Sequence, residues 1–165
     1  MVQLYLIRHG QAEDRGEKWP DDATRPLSES GTRRMRRAAK GLARLGVNLD
    51  VVLTSPLVRA QQTAQIVAAA FEPAPTVVGV SSLAPDGNFT GLLADLQKHA
   101  GHSRIALVGH EPSLGEFASR LTKARRRFEF KKGGACRIDI ESIPPVGPGE
   151  LRWFVTPAIL RVIKE

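Results

Sequence analysis

Arg8, His9 and Gly10 stand together at the end of the chain's first apolar run, residues 2–7. An imidazole beside a guanidinium, on a backbone that glycine lets turn, suits an anion that is held and attacked, as in phosphoryl transfer. A second histidine, His110, follows another apolar run, residues 105–108, and Gly109. Arg59 comes shortly after a third, residues 49–54. The plainer alternative is that each is a polar residue where a strand meets water, a risk that every short motif carries alone. The two readings separate on whether the chain's elements bring the four side chains to one place.

Short runs rich in Val, Leu, Ile and Tyr read as buried strands. Six occur, at residues 2–7, 49–54, 76–80, 105–108, 135–140 and 151–155. Between the early ones lie helical patterns. Ser28, Glu29, Ser30 and Gly31 open the first, with Met35, Ala38, Ala39, Leu42 and Leu45 on one face and Gly46 as its stop. Ser55 and Pro56 read as an N-cap followed by proline at the first helical position, opening a helix that runs to about Phe71. A third helix spans about residues 90–99. Pro112 starts a fourth with Leu114, Phe117, Ala118 and Leu121 inward, and residues 157–163 suggest a short fifth. This alternation predicts a three-layer α/β/α sandwich with a mostly parallel central sheet, one domain over residues 1–165. If strands one, two and four are parallel neighbours, Arg8, His9, Arg59 and His110 meet at the sheet's carboxyl edge, where open α/β sheets bind ligands. The helix starts at Pro56 and Pro112 would add their positive ends there.

A length of 165 residues allows one domain with a real core and is short for two. Hydrophobic residues at 42% and charged residues at 25% indicate a globular chain, and no apolar stretch approaches the ~20 residues of a membrane span. The first seven residues are too short for a signal-peptide core. The single cysteine, Cys136, excludes an internal disulfide and fits a reducing compartment. The expectation is a cytoplasmic protein without membrane association.

The formal net charge is +7, which suits a nucleic acid, an anionic surface or a phosphorylated substrate. One basic cluster, Arg33, Arg34, Arg36, Arg37, Lys40 and Arg44, reads as the solvated face of a helix. The other, Lys123, Arg125, Arg126, Arg127, Lys131 and Lys132, falls between a helix and a strand and reads as a docking surface. The long polar segment from Gln11 to Pro26 is of a kind usually functional or disordered. Its adjacent Asp21 and Asp22 read as solvated.

The segment Leu6-Ile7-Arg8-His9-Gly10-Gln11-Ala12-Glu13 resembles the signature of the histidine phosphatase superfamily, the phosphoglycerate-mutase-like fold. Arg25-Pro26-Leu27-Ser28 with Gly31, then Thr54 to Ala64, then Val108-Gly109-His110-Glu111-Pro112 resemble the segments that follow it, in the same order. Leu83 to Gly87 and Trp153 to Leu160 look like the short SixA-type phosphohistidine phosphatase branch. The resemblance implies that His9 is the nucleophile and forms a phosphohistidine. It implies that Arg8, Arg59 and His110 bind the phosphoryl oxygens, with Arg25 as a further arginine of the pocket. The implied partner is a phosphorylated protein such as a His-containing phosphotransfer domain, with no cofactor, no metal and no nucleic acid.

Larger members of this family use a carboxylic acid to protonate the leaving oxygen. Here Asp86 and Glu111 are the two candidates. A phosphoramidate can carry the proton on its own leaving imidazole, so the absence of a clear acid favours a P–N bond as substrate. The alternatives are a phosphatase of small phosphate monoesters on the same fold, or a basic module that holds phosphate or RNA without turnover. Other chemistry is not indicated. Ser142 stands where a cysteine-phosphatase loop built on Cys136 would need arginine, and His99 and His102 lack the partners of a metal site.

Overall fold

The structure is a computed structural model that describes residues 1–164. Six strands, β1 (Val2–Arg8), β2 (Val51–Thr54), β3 (Thr76–Gly79), β4 (Arg104–Gly109), β5 (Ala135–Ile140) and β6 (Glu150–Val155), form one sheet in the order β3-β2-β4-β1-β5-β6. The first four of that order run parallel, and β5 lies antiparallel to both β1 and β6. Five helices, α1 (Glu29–Arg44), α2 (Val58–Ala68), α3 (Phe89–Lys98), α4 (Ser113–Thr122) and α5 (Pro157–Leu160), cover its two faces.

Alternation along β1 sorts the core. Leu4 and Leu6 join the apolar cluster with Leu92 and Leu96 of α3 and with Leu114, Phe117 and Leu121 of α4. Tyr5 and Ile7 point the other way and pack with Met35, Ala38 and Leu42 of α1, Ala60, Ala64 and Val67 of α2, and Leu160 of α5. The predicted three layers and mostly parallel sheet are therefore present. Among the described residues no helix is long and apolar enough to cross a membrane.

The α1 helix begins as its residues indicate, with the Ser28 hydroxyl accepting the Gly31 N–H at 3.0 Å. Leu45 is not part of its inward face: it is the C-cap and 41% exposed, while Met35, Ala38, Ala39 and Leu42 are buried. The basic residues of α1 face solvent. Ser55 is not the N-cap of α2. Leu57 remains extended and occupies the cap position without a side-chain cap, so the helix starts at Val58 and ends at Ala68. The α4 helix likewise starts one residue late, with Pro112 as its N-cap, and α5 stops at Leu160.

The N-terminus of α1 also clamps the segment after His9. The carbonyl of Gln11 accepts the Ser28 N–H at 3.0 Å, and a Cβ on Gly31 would lie 2.0 Å from that same oxygen. Gly31→Ala must push the two apart. The expected cost is about 1–3 kcal/mol, the usual range for overpacking, read as a lower urea midpoint. Gly101→Ala, whose new methyl meets open space, should leave the midpoint where it is.

Candidate active site

The β4 strand lies between β1 and β2, and its register brings their carboxyl ends level. Arg8 pairs with Gly109 and Thr54 with Val108. The His9 N–H then donates to the Gly109 carbonyl at 3.1 Å, and the Ser55 N–H to the Val108 carbonyl at 3.0 Å. His9, His110 and Ser55 thus leave three adjacent strands at one edge, and the two imidazole centroids are 4.9 Å apart. Arg59, the second residue of α2, has a side chain only 4% exposed. The structure brings together the four side chains that the sequence singles out.

His9 is neutral and oriented. Burial, reinforced by His110, Arg59 and Arg8 and opposed by the contact with Gly10, holds its pKa down at about 3. Its Nδ1 lies 2.7 Å from the Gly10 carbonyl. A carbonyl only accepts, so Nδ1 carries the proton and Nε2 keeps its lone pair. The loop itself is anchored, because the Gly10 N–H donates to Thr63 Oγ1 at 3.1 Å and that hydroxyl donates to the Arg59 carbonyl. His110 is also held neutral, its pKa lowered to about 4 by burial and then by Arg59. Its Nε2 is 2.7 Å from the Ser55 hydroxyl, which also accepts the Leu57 N–H. The hydroxyl expected to cap a helix thus serves a backbone N–H and a histidine at once.

Each arginine is fixed by backbone carbonyls. Arg8 Nη1 donates to Phe130 at 2.7 Å, Arg25 Nη1 to Glu13 at 2.7 Å and Arg59 Nη1 to Asp22 at 2.8 Å. Arg25 belongs to this assembly, its side chain only 11% exposed. Asp22 keeps a side chain 42% exposed, as a solvated loop residue would, but it is also paired. Its carboxylate receives Arg59 Nη2 on one oxygen, and Arg25 Nε and Nη2 on the other, all at 2.9–3.0 Å. Burial opposes its charge, yet the hydrogen bonds from Arg25 and Arg59 outweigh that and hold the carboxyl below its usual range. Asp21 caps the same turn, accepting the Ala23 N–H.

Among the described residues, Arg8 Nε, Arg59 Nε and His110 Nδ1 are buried at this edge without a protein partner, and Nδ1 is a donor in the tautomer whose Nε2 accepts the Ser55 hydroxyl. Buried donors without partners are rare in folded proteins and call for a reason. Here they belong to three of the four residues gathered at the sheet edge, around a neutral imidazole. Such an arrangement fits a tetrahedral oxyanion.

The two acid candidates lie differently. Asp86 is exposed in the turn that precedes α3. Glu111 is half-buried beside the pocket. Burial pushes its pKa up, while the Gly115 N–H, donating to Oε1 at 2.9 Å, and the nearby Arg8 pull it back. Cys136 is buried in the sheet, its thiol pushed up to about 12 by burial. His99 and His102 stack on each other, and among the described residues no three His, Cys, Asp or Glu side chains gather to hold a metal ion. Ser55, Thr63 and Asp22 are the participants that sequence reasoning passed over. Ser55 and Thr63 stand in a motif whose apolar neighbours are buried; Asp22 carries no such signal, since Pro20 and Ala23 beside it are exposed.

Residues 4–82 match the family model of the histidine phosphatase superfamily, branch 1. The chain is 40% identical over 138 residues to an uncharacterized protein of Picosynechococcus, covering 81% of this chain and 82% of that one. It is 25% identical over 165 residues to the phosphohistidine phosphatase SixA of Escherichia coli, across 99% of both chains. Among solved structures, that of the protein histidine phosphatase SixA complexed with tungstate superposes with a TM-score of 0.85 at 25% identity, over 96% of this chain and 99% of the other.

The two depressed histidine pKa values of about 3 and about 4 fix the sign of a pH effect. Between those values and the ordinary ~6.5, the unfolded chain binds protons that the folded chain refuses. Stability should therefore fall as pH drops below about 6.5, each histidine adding a slope of up to about 1.4 kcal/mol per pH unit. Histidine ring NMR on the folded protein should find both rings neutral at pH 5. A midpoint near 6.5 for either would contradict the burial described.

Proposed function

This chain belongs to the histidine phosphatase superfamily, and from that premise we propose a phosphohistidine phosphatase that works through a covalent phosphohistidine on His9, without a metal ion. The observation that carries the reading is the set of three buried, unpartnered donors on Arg8, Arg59 and His110 around the neutral imidazole of His9. A binding module needs the donors but has no use for an imidazole whose tautomer is fixed with Nε2 free.

In the first step His9 Nε2 attacks phosphorus. The bond from phosphorus to the substrate's imidazole nitrogen breaks, its electron pair leaves on that nitrogen, and a proton on the ring keeps the departing group neutral. In the second step water attacks phosphorus, one of its protons passing to a phosphoryl oxygen, and the P–Nε2 bond breaks with its electron pair returning to Nε2, which releases dihydrogen phosphate and restores His9. Arg8, Arg59 and His110 hold the three equatorial oxygens in both steps, with Arg25 completing the positive wall. His110 serves through Nδ1–H, which makes its Nε2 the acceptor of the Ser55 hydroxyl.

The choice of a P–N bond rests on the acid candidates. Asp86 is exposed, and Glu111 is engaged with the first turn of α4. A phosphate monoester is the second reading, and the raised pKa of Glu111 is what favours it, since an ester leaving group needs a proton donor. The protein partner is suggested by the exposed basic strip of Lys123, Arg125, Arg126, Arg127, Lys131 and Lys132. It runs past Phe130, whose carbonyl holds Arg8, so it is continuous with the pocket. Such a strip suits an acidic phosphoprotein.

Phosphate release should be measured in EDTA on a phosphohistidine protein and on p-nitrophenyl phosphate. Wild type should turn over the first, His9→Ala neither. Glu111→Gln and Asp86→Asn should retain activity on the phosphoprotein; a collapse in either moves the assignment to an acid-dependent ester. Changing Arg125 and Arg126 together to glutamate should raise KM for the phosphoprotein about tenfold, as lost steering does, and leave the small ester unaffected. Equal effects on both substrates would remove the docking role.

A further inference from the structure

The proposed chemistry needs Arg25 and Arg59 side by side, yet two guanidinium groups buried together repel each other and have few places to dispose of their donors. Charge from Arg25 and Arg15 does act on Arg59, lowering its pKa after burial, and Asp22 is what opposes this. Residue 22 supplies three acceptors to the pair. Its backbone carbonyl takes Arg59 Nη1, one carboxylate oxygen takes Arg59 Nη2, and the other takes Nε and Nη2 of Arg25. Arg59 is left with Nε as its buried, unpartnered donor. Residue 22 therefore occupies both Nη groups of Arg59, Nη1 through its carbonyl and Nη2 through its carboxylate, and does not use the Nε that an oxyanion would bind.

The support of Asp22 is local and stiff. It begins the 3-10 turn Asp22–Thr24, in which Asp21 Oδ1 accepts the Ala23 N–H at 3.0 Å and Thr24 Oγ1 donates to the Asp21 carbonyl at 2.8 Å. Beyond the turn, the Leu27 N–H donates to Gln62 Oε1 of α2 at 2.7 Å. The segment between β1 and α1 is thereby tied to the same helix that carries Arg59.

We infer that Asp22 is a positioning residue for the oxyanion pocket: its carboxylate bridges Arg25 and Arg59, cancels their repulsion and sets Arg59 Nε towards the bound anion. The inference rests on the oxyanion reading of the site and not on which phosphoryl group is transferred. It makes the segment from Gln11 to Pro26 part of the binding machinery and explains why that segment is long. It must reach from the end of β1 across to α2 and place one acid between two arginines.

The test uses tungstate as the probe, with binding to the whole chain measured by calorimetry. Asp22→Asn keeps the size and loses the charge. Its Kd for tungstate should rise tenfold or more, as expected when charge-assisted hydrogen bonds are lost, and the melting temperature of the unliganded protein should fall modestly as the two arginines lose their shared counterion, the variant staying folded at the temperature of the titration. Asp22→Glu keeps the charge and should recover most of the affinity. It also serves if the asparagine variant does not fold. Unchanged or tighter binding in a folded Asp22→Asn would overturn the inference, because the carboxylate would then be a bystander or a competitor of the anion. No recovery in a folded Asp22→Glu, with melting lost as much as affinity, would overturn it too, leaving a structural role. Binding is read without turnover, so a failure here is separable from a failure of His9 chemistry.

Discussion

Everything at the candidate site depends on β4 lying between β1 and β2 in a register that ends all three strands at one level. Side chains about 100 residues apart in the chain become neighbours because the backbone ladder fixes their heights, with no contact between the side chains required to do so. The two backbone bonds just past the ladder, from His9 to Gly109 and from Ser55 to Val108, continue the pairing for one residue into the loops. His9 and Ser55 therefore inherit the precision of the sheet, which is why a loop imidazole can be this well placed.

The second constraint is electrostatic. The pocket gathers cationic groups where burial penalises charge. Two solutions coexist. The histidines respond by staying neutral, each imidazole matched to one uncharged oxygen, a carbonyl for His9 and a hydroxyl for His110. The arginines cannot shed their protons at any ordinary pH. They are met by carbonyls from distant segments and by one carboxylate. Imidazoles and guanidinium groups thus solve the same burial problem by opposite routes.

This division also explains what could be read from the sequence. Strand ends and helix faces follow from local pattern, so β1, β4 and the inward faces of α1 and α4 were legible, and with them Arg8, His9, Arg59 and His110. Arg25 was legible only through its resemblance to a family segment. Ser55 and Asp22 were misread because the local rule for each is sound and was overridden. A serine before a proline is normally a cap, and paired aspartates in a polar loop normally face water. Each also has a partner nearby, Leu57 for Ser55 and Arg25 for Asp22, but the partners that bring them to the site are 55 and 37 positions away, and no local pattern encodes those. The late start of α2 goes with the extended backbone of Leu57.

The burial of Cys136 has a consequence outside phosphate chemistry. Peroxide and disulfide-forming reagents act on accessible thiolates. The chain's one thiol is enclosed in the sheet with its pKa pushed up to about 12, and the pocket is built from imidazole and guanidinium groups. A site of this composition offers oxidants no sulfur nucleophile to inactivate.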